Sequence, residues 1–238
     1  MSGTLIAFEG VDGAGKTTQL AAFVARLRAL GLPVRTCAEP GGTSVGNDIR
    51  ALLLRPGASI APRAEALLFM ASRAALMDEV VLPAIARGEH VVMDRFFLST
   101  YAYQAGGRGL PLHELASANL FATHRVVPDL TVLLTLGEDH SRARRVERGT
   151  SDRIEAEGRA FHVGVDQAFR EYATRAWQHA HPEVGPVMAI PADAAPEVVA
   201  RRVWDAVMRL EGMTERLGIP RGMPARESSP VAGRQRSR

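Results

Sequence analysis

The residues with the clearest chemistry form an eight-residue motif, Gly10-Val11-Asp12-Gly13-Ala14-Gly15-Lys16-Thr17, which fits the pattern G-x-x-x-x-G-K-[ST]. In this motif the glycines let backbone N–H groups converge on phosphate oxygens, so Lys16 is expected to reach the β- and γ-phosphates and Thr17 can ligate Mg²⁺. Thr18 continues the motif into the next helix. An ordinary glycine-rich turn is the alternative, but the full pattern between a predicted strand and a predicted helix favours an ATP-type phosphate site.

Lys16 is also the only lysine of the chain, because 28 of the 29 Lys and Arg residues are arginine. Such a bias indicates that positions needing only positive charge accept arginine here. A lysine that stands alone therefore indicates a site that needs a compact ammonium group and does not accommodate a planar guanidinium.

A second candidate ligand follows an apolar run, since the segment from His90 to Asp94 is typical of a buried strand that ends in an acid. Parallel strands place their carboxyl ends on the ligand side of the sheet, so Asp94 is predicted to hold Mg²⁺ together with Thr17. Arg95 comes next, and a chain with one lysine has no second lysine for the Asn-Lys-x-Asp motif that reads guanine. These two features disfavour a switch GTPase.

Short β-rich runs alternate with longer helical patterns, which predicts an α/β fold of the P-loop NTPase type. We expect three layers, with a five-stranded parallel sheet flanked by helices and a mobile lid. The predicted strands are Thr4–Phe8, Val34–Ala38, His90–Asp94, Leu130–Leu136 and Val187–Ile190. The predicted helices are Lys16–Leu30, Ser44–Leu54, Pro62–Arg87, Leu112–His124, Asp139–Glu147, Ala160–His179 and Pro196–Leu210. Pro83 is expected to kink or end the third helix.

Composition limits the class of protein. The 238 residues are 46% apolar and 23% charged, which suits one sizeable core. No apolar run is long enough to cross a bilayer, and the first one stops at Glu9 without the pattern of a cleaved signal. Cys37 is the only cysteine, so an intrachain disulfide is excluded and a reducing cytoplasm is expected.

The formal charge of +3 is unevenly distributed along the chain. Residues 218–238 carry +4, so residues 1–217 sum to −1 and the body is not basic. We therefore predict a folded domain over residues 1–212, followed at residues 213–238 by a disordered basic tail that is poor in large apolar side chains. No nucleic-acid partner is expected, although an acidic partner for the tail stays open.

Four blocks of sequence give the chain a family resemblance, from about Leu5 to Leu210. They are Phe8-Glu9-Gly10-Val11-Asp12-Gly13-Ala14-Gly15-Lys16-Thr17-Thr18, then Glu39-Pro40-Gly41-Gly42-Thr43, then Asp94-Arg95-Phe96 with Ser99-Thr100 and Tyr103-Gln104, and Arg148-Gly149 with Asp152-Arg153-Ile154-Glu155. In these blocks the chain resembles bacterial thymidylate kinases, which are P-loop nucleoside monophosphate kinases. The resemblance implies ATP and dTMP as substrates, Mg²⁺ as cofactor, and a homodimer.

The resemblance also implies a set of acceptor-binding residues. Phe69 and Arg73 share a helix face, and in the family these positions stack on thymine and contact its O4. From the residues alone, Phe69 suits the core equally well. Arg50 and Arg95 resemble the pair that binds the monophosphate. The remaining members of the set are Ser99, Thr100, Tyr103 and Gln104 around the base and sugar, with Tyr103 against a ribose 2′-OH, and Asp12 near the 3′-OH.

An arginine-rich segment, about residues 142–158, resembles the mobile lid of the family. Gly13 and Ala14 stand where some relatives carry an arginine in the phosphate loop, so the transition-state charge must be met from elsewhere. Arg148 is the first candidate, with Arg153 and Arg144 next. Asp152 and Glu155 would orient these arginines or help to close over the acceptor.

Several alternatives stay open on the sequence alone. The acceptor could be another monophosphate or a free deoxynucleoside, and a P-loop protein without catalysis is a third reading. Apolar helices such as Ala64–Leu82 suit a dimer interface and the monomer core equally.

Overall fold

In the computed structural model, which describes residues 3–136 and 152–219, five parallel strands form one sheet. The strands are β1 (Leu5–Gly10), β2 (Val34–Ala38), β3 (His90–Asp94), β4 (Leu130–Thr135) and β5 (Val187–Pro191). Their order across the sheet is β2-β3-β1-β4-β5. β1 is buried along its whole length, as expected for a strand of a parallel sheet covered by helices on both faces. The predicted fold class, a five-stranded parallel sheet flanked by helices, is confirmed, and residues 142–151 of the predicted lid lie outside the described residues.

Ten α-helices are described, and all lie within residues 3–136 and 152–219. They are α1 (Lys16–Ala29), α2 (Ser44–Leu54), α3 (Pro62–Leu76), α4 (Leu82–Ala86), α5 (Phe97–Thr100), α6 (Leu112–Ala122), α7 (Arg159–Tyr172), α8 (Arg175–Ala180), α9 (Pro196–Arg209) and α10 (Met213–Arg216). Short helices of other types cover Met77–Val81, Tyr101–Gly107 and Pro182–Val184. The predicted helix Asp139–Glu147 falls outside the described residues. In the described part, every helix is too short or too polar to cross a membrane.

Two predicted helices differ from the structure for local reasons. The predicted Pro62–Arg87 helix widens into a π-helical stretch at Met77–Val81 and continues into α4, with Pro83 in its first turn. A proline ring clashes with the preceding turn of a regular α-helix, and the wider π-helical turn relieves this clash. The helix therefore continues past Pro83. The predicted Ala160–His179 helix divides into α7 and α8, because the Thr174 side chain caps the Trp177 N–H and starts a new helix.

A helical segment made of α5 and the π-helix Tyr101–Gly107 was not predicted from the sequence. The two glycines at its end allow it to pack closely on α7. A Cβ at Gly107 would lie 2.4 Å from Cε2 of Phe161, and one at Gly106 would lie 2.8 Å from Cβ of Ala168. This packing holds the segment that carries Ser99, Thr100, Tyr103 and Gln104.

The folded part of the chain extends past residue 212, where the sequence analysis placed the domain boundary. Helix α10 follows, and Met213 and Leu217 are 1% and 0% exposed. Arg216 pairs with Asp129, and the second carboxylate oxygen of Asp129 accepts a hydrogen bond from the Leu5 N–H at 2.8 Å. Residues 213–219 therefore pack against the start of β1, and the rest of the predicted tail, residues 220–238, lies outside the described residues.

Replacing Leu217 with alanine should test this packing. The change removes buried methyl groups and leaves a cavity, so we expect the free energy of unfolding to fall by about 2–5 kcal/mol. Urea unfolding followed by circular dichroism measures the loss. Val198→Ala is the control, because Val198 is 39% exposed and should change stability little. Equal stability of Leu217→Ala and the wild type would show that residues 213–219 do not stabilise the domain.

Candidate active site

The predicted phosphate loop connects β1 to α1 and contains glycines that the backbone requires. At Gly10 φ is 138°, and a Cβ there would lie 2.4 Å from the Leu134 carbonyl oxygen. Gly15 is in the left-handed region, and it precedes α1 without a side-chain cap. The first N–H groups of α1 are therefore available to phosphate oxygens, and the helix dipole favours an anion there.

Lys16 lies inside this loop. Its ammonium donates hydrogen bonds to the carbonyl oxygens of Gly10 and Val11, each at 2.9 Å, and Nζ lies 3.9 Å from Oδ1 of Asp12. Burial, and secondly the nearby Arg95, lower the pKa of Lys16 to about 8 against the opposing carboxylates. An anion bound in the loop would counter both effects.

The two predicted metal ligands are in direct contact, since the Thr17 hydroxyl donates to Oδ2 of Asp94 at 2.7 Å. This pairing of a hydroxyl and a carboxylate suits Mg²⁺, which prefers oxygen ligands. Among the described residues, no cluster of three or more His, Cys, Asp or Glu could hold a metal ion. Mg²⁺ at Thr17 and Asp94 would therefore take further ligands from phosphate and water.

Glu9 connects the phosphate loop to the segment that follows β3. Its carboxylate is fully buried and accepts hydrogen bonds from the backbone N–H groups of Phe96 at 2.7 Å and Ser99 at 3.0 Å. The Ser99 hydroxyl donates to the same carboxylate at 2.6 Å. Glu9 thus joins the end of β1 to the start of α5, next to Arg95.

Arg95, Asp12 and Tyr103 form one network at the edge of the loop. Arg95 has a φ of 72°, unusual for a residue with a side chain, and its guanidinium pairs with Asp12 and donates to Ser99 Oγ at 2.9 Å. Tyr103 donates to Oδ2 of Asp12 at 2.6 Å. Burial and Asp12 raise the pKa of Tyr103 well above its ordinary value, although Arg95 opposes them, so the phenol stays a neutral donor.

Arg73 is held in place almost entirely by protein acceptors. It is 2% exposed and pairs with Glu39 through a fork of hydrogen bonds. It also donates to Thr100 Oγ1 and to the Phe96 carbonyl oxygen, each at 2.9 Å, and to Asn119. A buried arginine needs anionic or carbonyl partners, and neither Glu39 nor Asn119 was predicted as a partner from the sequence.

A cavity of about 240 Å³ opens beside the phosphate loop. Every residue that the sequence predicted for acceptor binding lines it, namely Asp12, Arg50, Phe69, Arg73, Arg95, Ser99, Thr100, Tyr103 and Gln104. Asp94 also lines the cavity and thus faces both the acceptor side and the phosphate loop. The structure adds lining residues to which the sequence assigned no role, namely Ala38, Glu39, Pro40, Leu54 and Ile154, although Glu39, Pro40 and Ile154 stand in blocks of the family resemblance.

The predicted arginines of the acceptor and lid sites have different surroundings. Arg50 donates to the Pro40 carbonyl oxygen at 2.8 Å, and within the described residues no carboxylate pairs with it. Arg153 is 8% exposed and donates to the Leu53 carbonyl oxygen at 2.7 Å and to Glu65 at 2.6 Å. These two bonds use two of the five N–H donors of the guanidinium, so the catalytic role expected for Arg153 stays a prediction. Arg148 and Arg144 lie outside the described residues.

Together, the strand order, the loop after β1 and the acid that ends β3 define the chain as a P-loop protein with a nucleotide phosphate site. A family model for thymidylate kinase matches residues 8–183. The chain is 42% identical to a thymidylate kinase of Deinococcus radiodurans over 205 residues, which cover 86% of this chain and 96% of the relative. It is 45% identical to one of Pseudomonas putida, covering 75% and 85%. The chain belongs to the thymidylate kinase family.

The lowered pKa of Lys16 predicts that ATP binding takes up a proton in mildly alkaline solution. Bound phosphates should raise that pKa, so an ammonium deprotonated in the free protein regains its proton on binding. Calorimetric titration with ATP at pH about 9, in buffers of different ionisation enthalpy, should show this uptake, and it should be small at pH about 7. Lys16→Arg should take up no proton at either pH. Equal proton uptake by Lys16→Arg and the wild type would contradict the assignment.

Proposed function

We propose that this protein transfers the γ-phosphoryl group of ATP to dTMP, giving ADP and dTDP. The proposal rests on two sites that lie next to each other. Lys16 lies in a loop suited to the donor phosphates, and all residues predicted to bind the acceptor line the neighbouring cavity. Asp12, Asp94 and Arg95 lie at the junction, where a phosphoryl group would pass from one site to the other. The relatives named thymidylate kinase support dTMP as the acceptor.

In this proposal the protein acts mainly by positioning and by neutralising charge. Arg50 and Arg95 hold the acceptor phosphate, whose oxygen attacks the γ-phosphorus in line, while Lys16 and the N-terminus of α1 hold the donor phosphates. Thr17 and Asp94 would hold Mg²⁺, which would supply further positive charge at the phosphates. A monophosphate is already ionised near neutral pH, so no protein base is required.

The acceptor base and sugar would lie along the opposite wall of the cavity. Phe69 offers a ring for stacking, and Arg73 and Thr100, bonded to each other at 2.9 Å, offer polar contacts to the base. Asp12 and Tyr103, bonded at 2.6 Å, would face the sugar, where the phenol leaves little room for a 2′-OH. Arg148 is our candidate for the arginine that meets transition-state charge at the transferred group.

Two other functions are weighed against this one. A free deoxynucleoside as acceptor would leave Arg50 and Arg95 without a phosphate to bind, which favours a monophosphate. A P-loop protein without catalysis is disfavoured by the contact between Thr17 and Asp94 and by the buried Lys16, because both suit phosphoryl transfer.

A coupled assay of ADP release tests the proposed function directly. With ATP and Mg²⁺, we expect dTMP to be preferred over dUMP, dCMP, dGMP, AMP and thymidine. Lys16→Ala should remain folded and lose activity by a factor on the order of 10² or more, because its ammonium stabilises the transferred charge. Preference for another acceptor would overturn dTMP while keeping a P-loop kinase. Near-normal activity of Lys16→Ala would overturn the mechanism.

We also propose a homodimer and a cytoplasmic location. Large apolar side chains are exposed on neighbouring helices, with Leu67 of α3 at 65% and Phe121 of α6 at 87%. Such side chains are common in interfaces between copies of a chain.

The cytoplasmic location is supported by Cys37. Burial raises the pKa of its thiol to about 11, so the thiol stays neutral, as is usual for a buried cysteine in a reducing compartment.

The dimer proposal predicts that Phe121→Glu gives a monomer. A charge placed in an apolar interface costs desolvation energy, so light scattering after size exclusion should show half the mass of the wild type. Val198→Glu, in an exposed position of α9, is the control and should keep the wild-type mass. An unchanged mass for Phe121→Glu would exclude this interface.

A further inference from the structure

Four charged side chains form a cluster next to the acceptor cavity, and we call them the Glu65 cluster. They are Glu65, Arg108, Arg153 and Glu157. Glu65 is fully buried, whereas Arg108 and Glu157 are 14% and 28% exposed. Two carboxylates face two guanidiniums, so the charges of the cluster balance.

Glu65 is the centre of the cluster. Its Oε1 accepts from Gln104 Nε2 at 2.9 Å and from Arg108 Nε at 3.1 Å. Its Oε2 accepts from Arg108 at 2.9 Å and from Arg153 at 2.6 Å. Burial raises the pKa of Glu65, but hydrogen bonds from Arg108, Gln104 and Arg153 outweigh it and bring the pKa below the ordinary value. Glu65 is therefore ionised and fully hydrogen-bonded.

The cluster joins separate segments that each supply part of the cavity wall. Glu65 lies on α3 one turn before Phe69, and Gln104 belongs to the π-helix that also carries Tyr103. Both Phe69 and Gln104 line the cavity. Neither Glu65 nor Arg108 lines the cavity, so they act on it through the residues they hold.

Arg153 joins a third and a fourth segment to Glu65. Its neighbours Asp152, Ile154 and Glu155 line the cavity, while its own side chain turns away to Glu65. The same guanidinium donates to the Leu53 carbonyl oxygen at 2.7 Å at the end of α2, next to the lining residue Leu54. Arg108 bonds to Glu157 at 2.6 Å and so fixes the end of the segment 152–157 as well.

We propose that Glu65 is a positioning residue for acceptor binding, which sets the segment 152–157 against α3 and the π-helix through Arg153 and Arg108. A role in stability alone does not require this arrangement, because apolar side chains can replace a buried charge cluster without loss of stability. The proposal rests on the proposed function, since it assigns to the Glu65 cluster the geometry of the dTMP side of the cavity. The donor side, formed by Lys16 and Thr17, has no bond to the cluster in the described structure.

Glu65→Gln in the full chain tests the proposal, because glutamine keeps the size and removes the charge. We expect the KM for dTMP to rise by about tenfold or more, since several charge-assisted hydrogen bonds are weakened, while the KM for ATP stays unchanged. Glu89→Gln is the matched control, because Glu89 also pairs with two arginines, Arg35 and Arg87. Glu89 directly precedes β3 and so lies at the amino end of the strand, whereas Asp94 at its carboxyl end lines the cavity. It should leave both KM values unchanged.

A double-mutant cycle separates positioning from general destabilisation. If Glu65 acts through Arg153, the KM for dTMP of Glu65→Gln/Arg153→Gln should be close to that of the worse single variant instead of the product of the two effects. Glu157→Gln, a milder change at a partly exposed residue, should raise the same KM by a smaller factor. It and Arg153→Gln carry the test if Glu65→Gln does not fold.

The outcomes are distinct. A selective rise in the KM for dTMP, with non-additive variants, supports the proposal. Equal changes in both KM values, no change in a folded Glu65→Gln, or fully additive effects would overturn it. If Glu65→Gln does not fold, an unchanged KM for dTMP in both Arg153→Gln and Glu157→Gln would also overturn it. If the wild-type chain does not phosphorylate dTMP, the proposed function is wrong. If the wild type is active and Glu65→Gln has an unchanged KM for dTMP, only the positioning role of Glu65 is wrong.

Discussion

Parallel pairing of β1 with β3 is the constraint on which the rest of the site depends. The register pairs Phe8 with Asp94, so the phosphate loop and the Asp94-Arg95 pair leave the sheet side by side at its carboxyl edge. Glu9 then fixes this junction with a buried carboxylate that accepts three hydrogen bonds from Phe96 and Ser99. Because a buried carboxylate that loses its donors is costly, the loop and α5 keep a fixed relation to each other.

Much of this arrangement could be predicted, because short stretches of sequence indicate the strands and the phosphate loop. Five apolar runs gave the strands, and the glycine-rich motif gave both the loop and the start of α1. The acceptor set was predicted through resemblance to a family, and its members meet in one cavity. Physical reasoning alone left Phe69 undecided, since an aromatic residue among Leu67, Leu68 and Met70 is as typical of a core as of a base site.

Other features could not be predicted, because they arise from contacts between residues far apart in the chain. Asn119 and Glu39 hold Arg73 from segments with no shared pattern, and Arg153 reaches Glu65 across 88 positions. The helical segment that carries Tyr103 was missed since Gly106 and Gly107 predict a loop, whereas their lack of side chains serves close packing on α7. The arginine-rich segment predicted catalysis for Arg153, and only the tertiary structure shows that its guanidinium also donates to Glu65 and to the Leu53 carbonyl oxygen.

The contrast between Lys16 and the arginines follows from the geometry of their charges. Arg73, Arg108 and Arg153 each donate to more than one acceptor, and a planar fork with fixed directions suits carboxylates that are held in place. Lys16 instead donates to two carbonyl oxygens of its own loop, each at 2.9 Å. Burial disfavours the charged ammonium there and lowers the pKa of Lys16. An ammonium group can turn from these carbonyls to phosphate oxygens by rotating a flexible stem, whereas a guanidinium in the same space would need a new orientation of its whole plane. The only lysine thus stands where a charge must be compact and must change partners.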